Sequence, residues 1–141
     1  MNNNLGLAII VKKVMDDIIT SYSLTLFSKD DNEVQLKSST YIMDVIANRD
    51  GVSIVYFDIT QKPIKGYNVF LFLANKRREQ LDFVKDKPIT NSYAEFIESE
   101  IHALAGHLRK AGQDILSGSK DWIKAYSWPT VCSTDKQILI I

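Results

Sequence analysis

The sequence predicts a single α+β domain over residues 1–141, a curved antiparallel sheet packed by helices, and three observations predict it. The first is Ser92 to Leu116, the longest periodic stretch, in which Ile97, Ile101, Leu104, Leu108, Ala111 and Ile115 recur at spacings of four and three. On a helix those residues form one apolar stripe, with Ser92 and Glu95 as a capping box and Gly118 as a left-handed stop. The second is a change to period two between Tyr22 and Ile59, interrupted by residues of turn chemistry. The third is size: 141 residues at 45% hydrophobic content suffice to bury a core without disulfide or metal staples.

Each element can be justified in chain order. Leu5 to Ile19 is expected to be one helix, with Asn4 as cap and Leu7, Val11, Val14 and Ile18 as its buried stripe. Leu24, Leu26, Val34 and Leu36 alternate with other residues around Asp30, Asp31 and Asn32, which is a hairpin. Tyr41 to Asn48 and Val52 to Ile59 form a second hairpin around Asn48, Arg49, Asp50 and Gly51. After Pro63 and Gly66, the run Tyr67 to Ala74 is apolar enough to require cover on both faces and is placed as a central strand. Lys76 to Asn91 carries no clear period before Pro88 stops it. Asp121 to Tyr126 reads as a helical turn halted at Trp128 and Pro129. A closing hairpin of Thr130 to Cys132, a turn at Ser133 to Lys136 and then Gln137 to Ile141 would bury the C-terminal isoleucines and leucine in the sheet.

Charge and cysteine usage exclude several classes. The 17 basic and 17 acidic residues cancel, which argues against a non-specific nucleic-acid binder. Cys132 is the single cysteine, so no intramolecular disulfide forms. The run Leu5 to Val11 lacks preceding lysines and a small-residue cleavage site, so it reads as neither signal peptide nor membrane span. The expected location is the cytoplasm, without a membrane partner.

Motifs for catalysis, metal or cofactor binding are lacking. Glu100, His107 and Asp114 flank the helical stripe at spacings of seven, but seven residues rise about 10.5 Å, too far to share one metal ion. They mark instead the border where the helix leaves the core. Glu98 and His102 are four apart on the outer face, where a solvated pair is the ordinary outcome. Cys132 lies in an expected strand with no histidine near it in sequence, as a buried structural thiol would. Gly106, Gly112 and Gly118 match no phosphate-binding pattern.

Three clusters remain as candidate partner-binding anchors. Asp30, Asp31 and Glu33 form an acidic hairpin tip, Lys76, Arg77 and Arg78 form the run of three basic residues, and Trp122, Tyr126 and Trp128 gather beside a proline-ended turn. Charged residues steer association, while tryptophan and tyrosine are enriched among binding hot spots.

In size, single α+β build and lack of catalytic motifs, the chain resembles the immunity proteins that bacteria make against toxins delivered by competing cells. The resemblance implies a non-enzymatic protein, monomer or homodimer, whose cognate partner is a toxin domain. The neutral charge departs from the acidic balance common among inhibitors of nuclease toxins, which leaves the toxin's class open. Two alternatives stand beside it: a secretion-type chaperone holding one protein partner, and a small enzyme or ligand-binding domain with a pocket between sheet and helix around His107 or Cys132.

Overall fold

A computed structural model describes residues 6–62, 64–81 and 90–126, together with the backbone of 132–133. The sheet is antiparallel throughout, in the spatial order β1-β2-β3-β4-β5-β6. Its strands are β1 (Thr25–Asp30), β2 (Glu33–Lys37), β3 (Tyr41–Asn48), β4 (Gly51–Asp58), β5 (Lys65–Asn68) and β6 (Cys132–Ser133). The helices are α1 (Leu7–Val14), α2 (Asp16–Ser21), α3 (Val69–Lys76), α4 (Tyr93–Ala111), α5 (Gln113–Leu116) and α6 (Asp121–Lys124). The α+β class expected from the alternation of periods is therefore the class observed.

The first two expected hairpins are present. Asn48 pairs with Gly51, leaving Arg49 and Asp50 as a two-residue turn, and the Asp50 N–H donates to Asn48 Oδ1 at 2.9 Å. Gly51 has φ +139°, and a Cβ there would lie 2.8 Å from Glu100 Oε1, so a side chain would be strained on both counts. Alternation along β3 sends Tyr41, Met43, Val45 and Ala47 into the main core, where Leu7, Val11, Ile97, Ile101 and Leu108 of the helices meet them. The opposite face holds a smaller cluster of Ile42, Phe57 and Ile64.

Four expectations are corrected. The first helix is two helices, because Met15 leaves helical geometry at φ −107° and ψ 17°. Lys12 and Lys13 close α1 while Asp16 and Asp17 open α2, each pair at the helix end whose dipole favours it. The helix also starts at Gly6, not after Asn4.

The second correction concerns Tyr67 to Ala74, which is not a central strand. Only β5 is extended; Asn68 then accepts the Leu71 N–H at 3.0 Å as an N-cap, and Val69, Phe72 and Leu73 are buried at helical spacing in α3. An unbroken apolar run satisfies a buried strand and a buried helix face equally, so the cap decided it.

Third, the long helix ends at Ala111 and resumes as α5 beyond Gly112. Ser92 accepts the Glu95 N–H at 3.2 Å as expected, while Glu95 Oε2 accepts from the Asn91 N–H at 2.8 Å. Gly118 stops α5 at φ +98°. Fourth, Ser133 is a strand residue beside Lys65, not part of a turn. The rest of the expected closing hairpin, and Asp82 to Ile89, lie outside the described residues.

The outer face of α4 is also less solvated than its sequence suggests. Arg109 donates through Nε and Nη2 to both Asp17 carboxylate oxygens at 2.8 Å and to the Val14 carbonyl at 2.8 Å, fastening α4 to the α1–α2 junction. The Arg109 guanidinium holds the Asp17 carboxyl below its usual range. Glu98 pairs with Lys13 at 3.2 Å, and His102 stands exposed.

Candidate functional site

The three sequence clusters meet different fates. At the acidic tip, Asp30 and Asp31 are exposed at the turn between β1 and β2. Asp30 Oδ1 accepts the Asn32 N–H at 2.7 Å, which shapes the turn and leaves the charge facing water. The Asp31 carbonyl accepts the Leu7 N–H at 3.2 Å, tying the tip to the start of α1 while its side chain stays outside. Glu33 belongs to β2 and pairs with Lys29 at 3.5 Å, so two carboxylates of the three remain available.

Behind this tip lies a polar group that sequence reasoning missed. Asp44 is 2% exposed on β3, directly opposite Gln35 and diagonal to Glu33. Burial, reinforced by the Glu33 carboxylate, pushes the Asp44 carboxyl up to about 8, while Lys29 and Gln35 pull the other way. At neutral pH it is therefore mainly a protonated acid able to donate to Glu33. The signal was in the sequence, since Asp44 interrupts an otherwise apolar strand.

Within the basic run the fold takes up Arg77, while Lys76 and Arg78 remain exposed. Arg77 donates from Nη1 and Nη2 to the two Asp114 oxygens at 2.6 and 2.7 Å and from Nη1 to the Ala111 carbonyl at 2.5 Å. Its guanidinium also covers the Phe72 ring at 4.8 Å. This bidentate clamp closes the end of α4 over α3 and holds the Asp114 carboxyl below its usual range. Lys76 Nζ sits 5.9 Å from the Tyr126 ring centre, and Arg78 opens a short 3₁₀ turn.

The aromatic cluster is also corrected. Trp122 is 1% exposed and cannot be an accessible anchor. Its ring meets Tyr56 edge-on at 4.9 Å and Phe72 at 5.3 Å, under α3. Tyr126 is half-buried against Phe72, and Trp128 lies outside the described residues.

Beside that aromatic core stands a second group the sequence did not disclose. Lys120 Nζ donates to the Tyr56 hydroxyl and to the Thr40 carbonyl, pairs with Asp58 at 3.5 Å and lies 4.7 Å over the Tyr56 ring. Burial lowers the ammonium's pKa, opposed by Asp58. These contacts join the loop before α6 to the ends of β3 and β4, and every one of them is to the protein itself. Three separate stretches of chain contribute, which no local spacing reveals.

Glu100, His107 and Asp114 do not converge: Glu100 abuts Gly51, His107 is buried beside Phe70 with ring centres 5.6 Å apart, and Asp114 belongs to Arg77. Burial lowers the His107 pKa. Among the described residues no group of three or more His, Cys, Asp or Glu side chains is arranged to hold a metal ion, and no helix is long and apolar enough to cross a membrane. One open depression of about 210 Å³ is lined by Asp17, Ile18, Tyr22 and Arg109, at the α2–α4 junction and away from His107.

Strand β1 carries no pattern that sets it apart in the sequence, yet it is the most exposed of the strands β1 to β5. Leu26 is half-buried and the other five residues are exposed, with Phe27 40% exposed. Compared with known proteins, the chain matches no family model, no curated protein and no solved structure.

Proposed function

We propose that this chain is a non-enzymatic protein-binding module of the immunity type, which engages a cognate partner, a toxin domain, through the β1–β2 end of its sheet. One observation carries the reading: two carboxylates facing water, Asp30 and Asp31, adjoin an exposed aromatic ring, Phe27, on one hairpin. That is the combination of steering charge and apolar anchor that protein interfaces use. The competing clusters support it indirectly, because Arg77 and Trp122 are committed to internal contacts. The net neutrality of the chain is compatible with a locally acidic binding end.

The test is to express the polypeptide encoded beside this gene, with and without this protein, and to titrate the two by calorimetry. Protection of the cells together with a saturable heat of binding supports the proposal. If cells are unprotected and no heat appears, the immunity reading fails, and a small-enzyme or ligand-binding role becomes the better account.

A further inference from the structure

We infer that β1 takes the partner by strand addition: an extended, basic segment of another protein pairs along its open edge. The inference rests on the protein-binding reading above and specifies how that binding is made. β1 ends the sheet and pairs with β2 alone among the described strands, so its outer side presents backbone N–H and C=O groups without a strand partner. Five of its six residues are exposed, and among the described residues no strand or helix lies along this edge.

Natural sheet edges are usually blunted by charges, prolines or bulges, and the middle of β1 has none of them. Thr25, Leu26, Phe27 and Ser28 are uncharged residues, three of them with good β-propensity or packing surface. The irregularity in pairing falls between Ser28 and Asp30, at the tip, and leaves Thr25 to Ser28 in regular register with Lys37 to Val34. Lys29, which follows this stretch, pairs with Glu33 at 3.5 Å, and Lys37, opposite Thr25, belongs to the inner neighbour β2. An edge this bare promotes aggregation unless a partner uses it.

Charge selects the partner's chemistry. Lys29 and Glu33 cancel, so Asp30 and Asp31 leave the tip with a local charge of about −2, which favours lysine or arginine in the docking strand next to the turn. Phe27 calls for an apolar residue beside it on the same face. A second copy of this chain fits less well, since antiparallel pairing of two β1 strands would set each acidic tip beside the uncharged stretch Thr20 to Thr25 of the other, which offers it no basic side chain.

The probe is a phage-displayed library of random twelve-residue peptides, selected on the full-length protein. Enriched peptides should alternate apolar and β-branched residues with lysine or arginine near one end. Their binding should fall about tenfold or more in Phe27→Asp and in Thr25→Lys, and stay unchanged in Lys124→Glu, at the far end of the sheet. Melting curves confirm that each variant is folded, and amide exchange should slow in Thr25 to Ser28 on binding. Failure to enrich any peptide, acidic consensus peptides, or binding indifferent to both β1 substitutions would overturn the inference. So would protection of β1 that grows with the protein's own concentration, which assigns the edge to a second copy. If the neighbouring gene's product binds Phe27→Asp at full strength, strand addition falls while the protein-binding reading stands; if that product binds neither protein, both fall.

Discussion

The two ends of the sheet are built from similar raw material and put it to opposite uses. At the β4–β5 end, aromatic and cationic side chains interlock: Tyr41 stacks on Tyr56 at 4.8 Å, Trp122 fills the gap between Tyr56 and Phe72, and Arg77 and Lys120 cover the rings. At the β1 end an aromatic ring and two carboxylates stand in water. The difference teaches that a cluster's composition does not say whether it is free. Trp122 and Arg77 find partners because α3, α5 and α6 crowd that end, whereas α1 covers one face of β1 and β2 and leaves the strand's edge bare.

The sharpest break of the comparison is at its most crowded point. Trp122→Ala removes a ring that is 1% exposed and leaves a cavity, at a cost of about 3–5 kcal/mol by the usual behaviour of large-to-small core changes. Chemical denaturation should show the midpoint falling sharply. A variant as stable as the parent would move Trp122 to the surface and return it to the list of accessible anchors.

Next in size is the arginine clamp. Arg77→Met leaves the partly buried Asp114 without its two charge-assisted hydrogen bonds, and about 1.5–3 kcal/mol is expected, at the low end because Asp114 is partly solvated. The neighbouring Arg78→Met, in an exposed position, should stay within about 0.5 kcal/mol. Equal effects from the two substitutions would mean that the basic run acts as a unit and that Arg77 is not singled out by the fold.

Asp44 supplies a pH dependence that separates the β1 end from the rest. Its carboxyl is raised from an ordinary 3.8 to about 8, so between those values the folded protein holds a proton that the unfolded chain releases. Stability contributed there is present below the unfolded value and is lost as pH rises toward 8, by up to about 1.4 kcal/mol per unit and less where Glu33 shares the proton. Asp44→Asn keeps the shape and removes the titration, so its stability profile between pH 5 and pH 8 should be flatter than the parent's. Urea melts across that range test it; parallel profiles would show that Asp44 is ionised in the fold.

How far the sequence disclosed all this depends on whether the decisive partner is local. The hairpin at Asn48 to Gly51, the Ser92 cap and the stripe from Ile97 to Ile115 were legible because each is set by neighbours a few residues away. The break at Met15 also has a local mark, since Lys12 and Lys13 followed by Asp16 and Asp17 have the charge order of one helix ending and another beginning. In Val69 to Lys76 the apolar run hides the helical period, and only Asn68 in front of it, with the chemistry of a cap, marks the helix. Arg77 with Asp114, Lys120 with Asp58, and Asp44 with Glu33 join positions that only the folded chain brings together, and no local pattern marks which charge will be satisfied.

The smallest expected effect on stability carries the most about function. Reversing both free carboxylates in Asp30→Lys with Asp31→Lys should shift stability by no more than about 0.5 kcal/mol, because neither side chain is buried and the Asn32 contact is a single exposed hydrogen bond. Binding to the cognate partner should weaken through slower association, and the deficit should shrink as salt is raised, since at ~0.15 M the field of exposed charges already fades within about 8 Å. Truncating Phe27 to alanine should act on the other rate, leaving association nearly unchanged and speeding dissociation, because an apolar contact forms only after the surfaces meet. Stopped-flow and surface-binding kinetics at two salt concentrations separate these cases. If the aspartate reversal changes dissociation alone, or salt has no influence on it, the tip is a contact and not a steering site, and the functional contrast between the two ends of the sheet rests on Phe27 and the β1 edge.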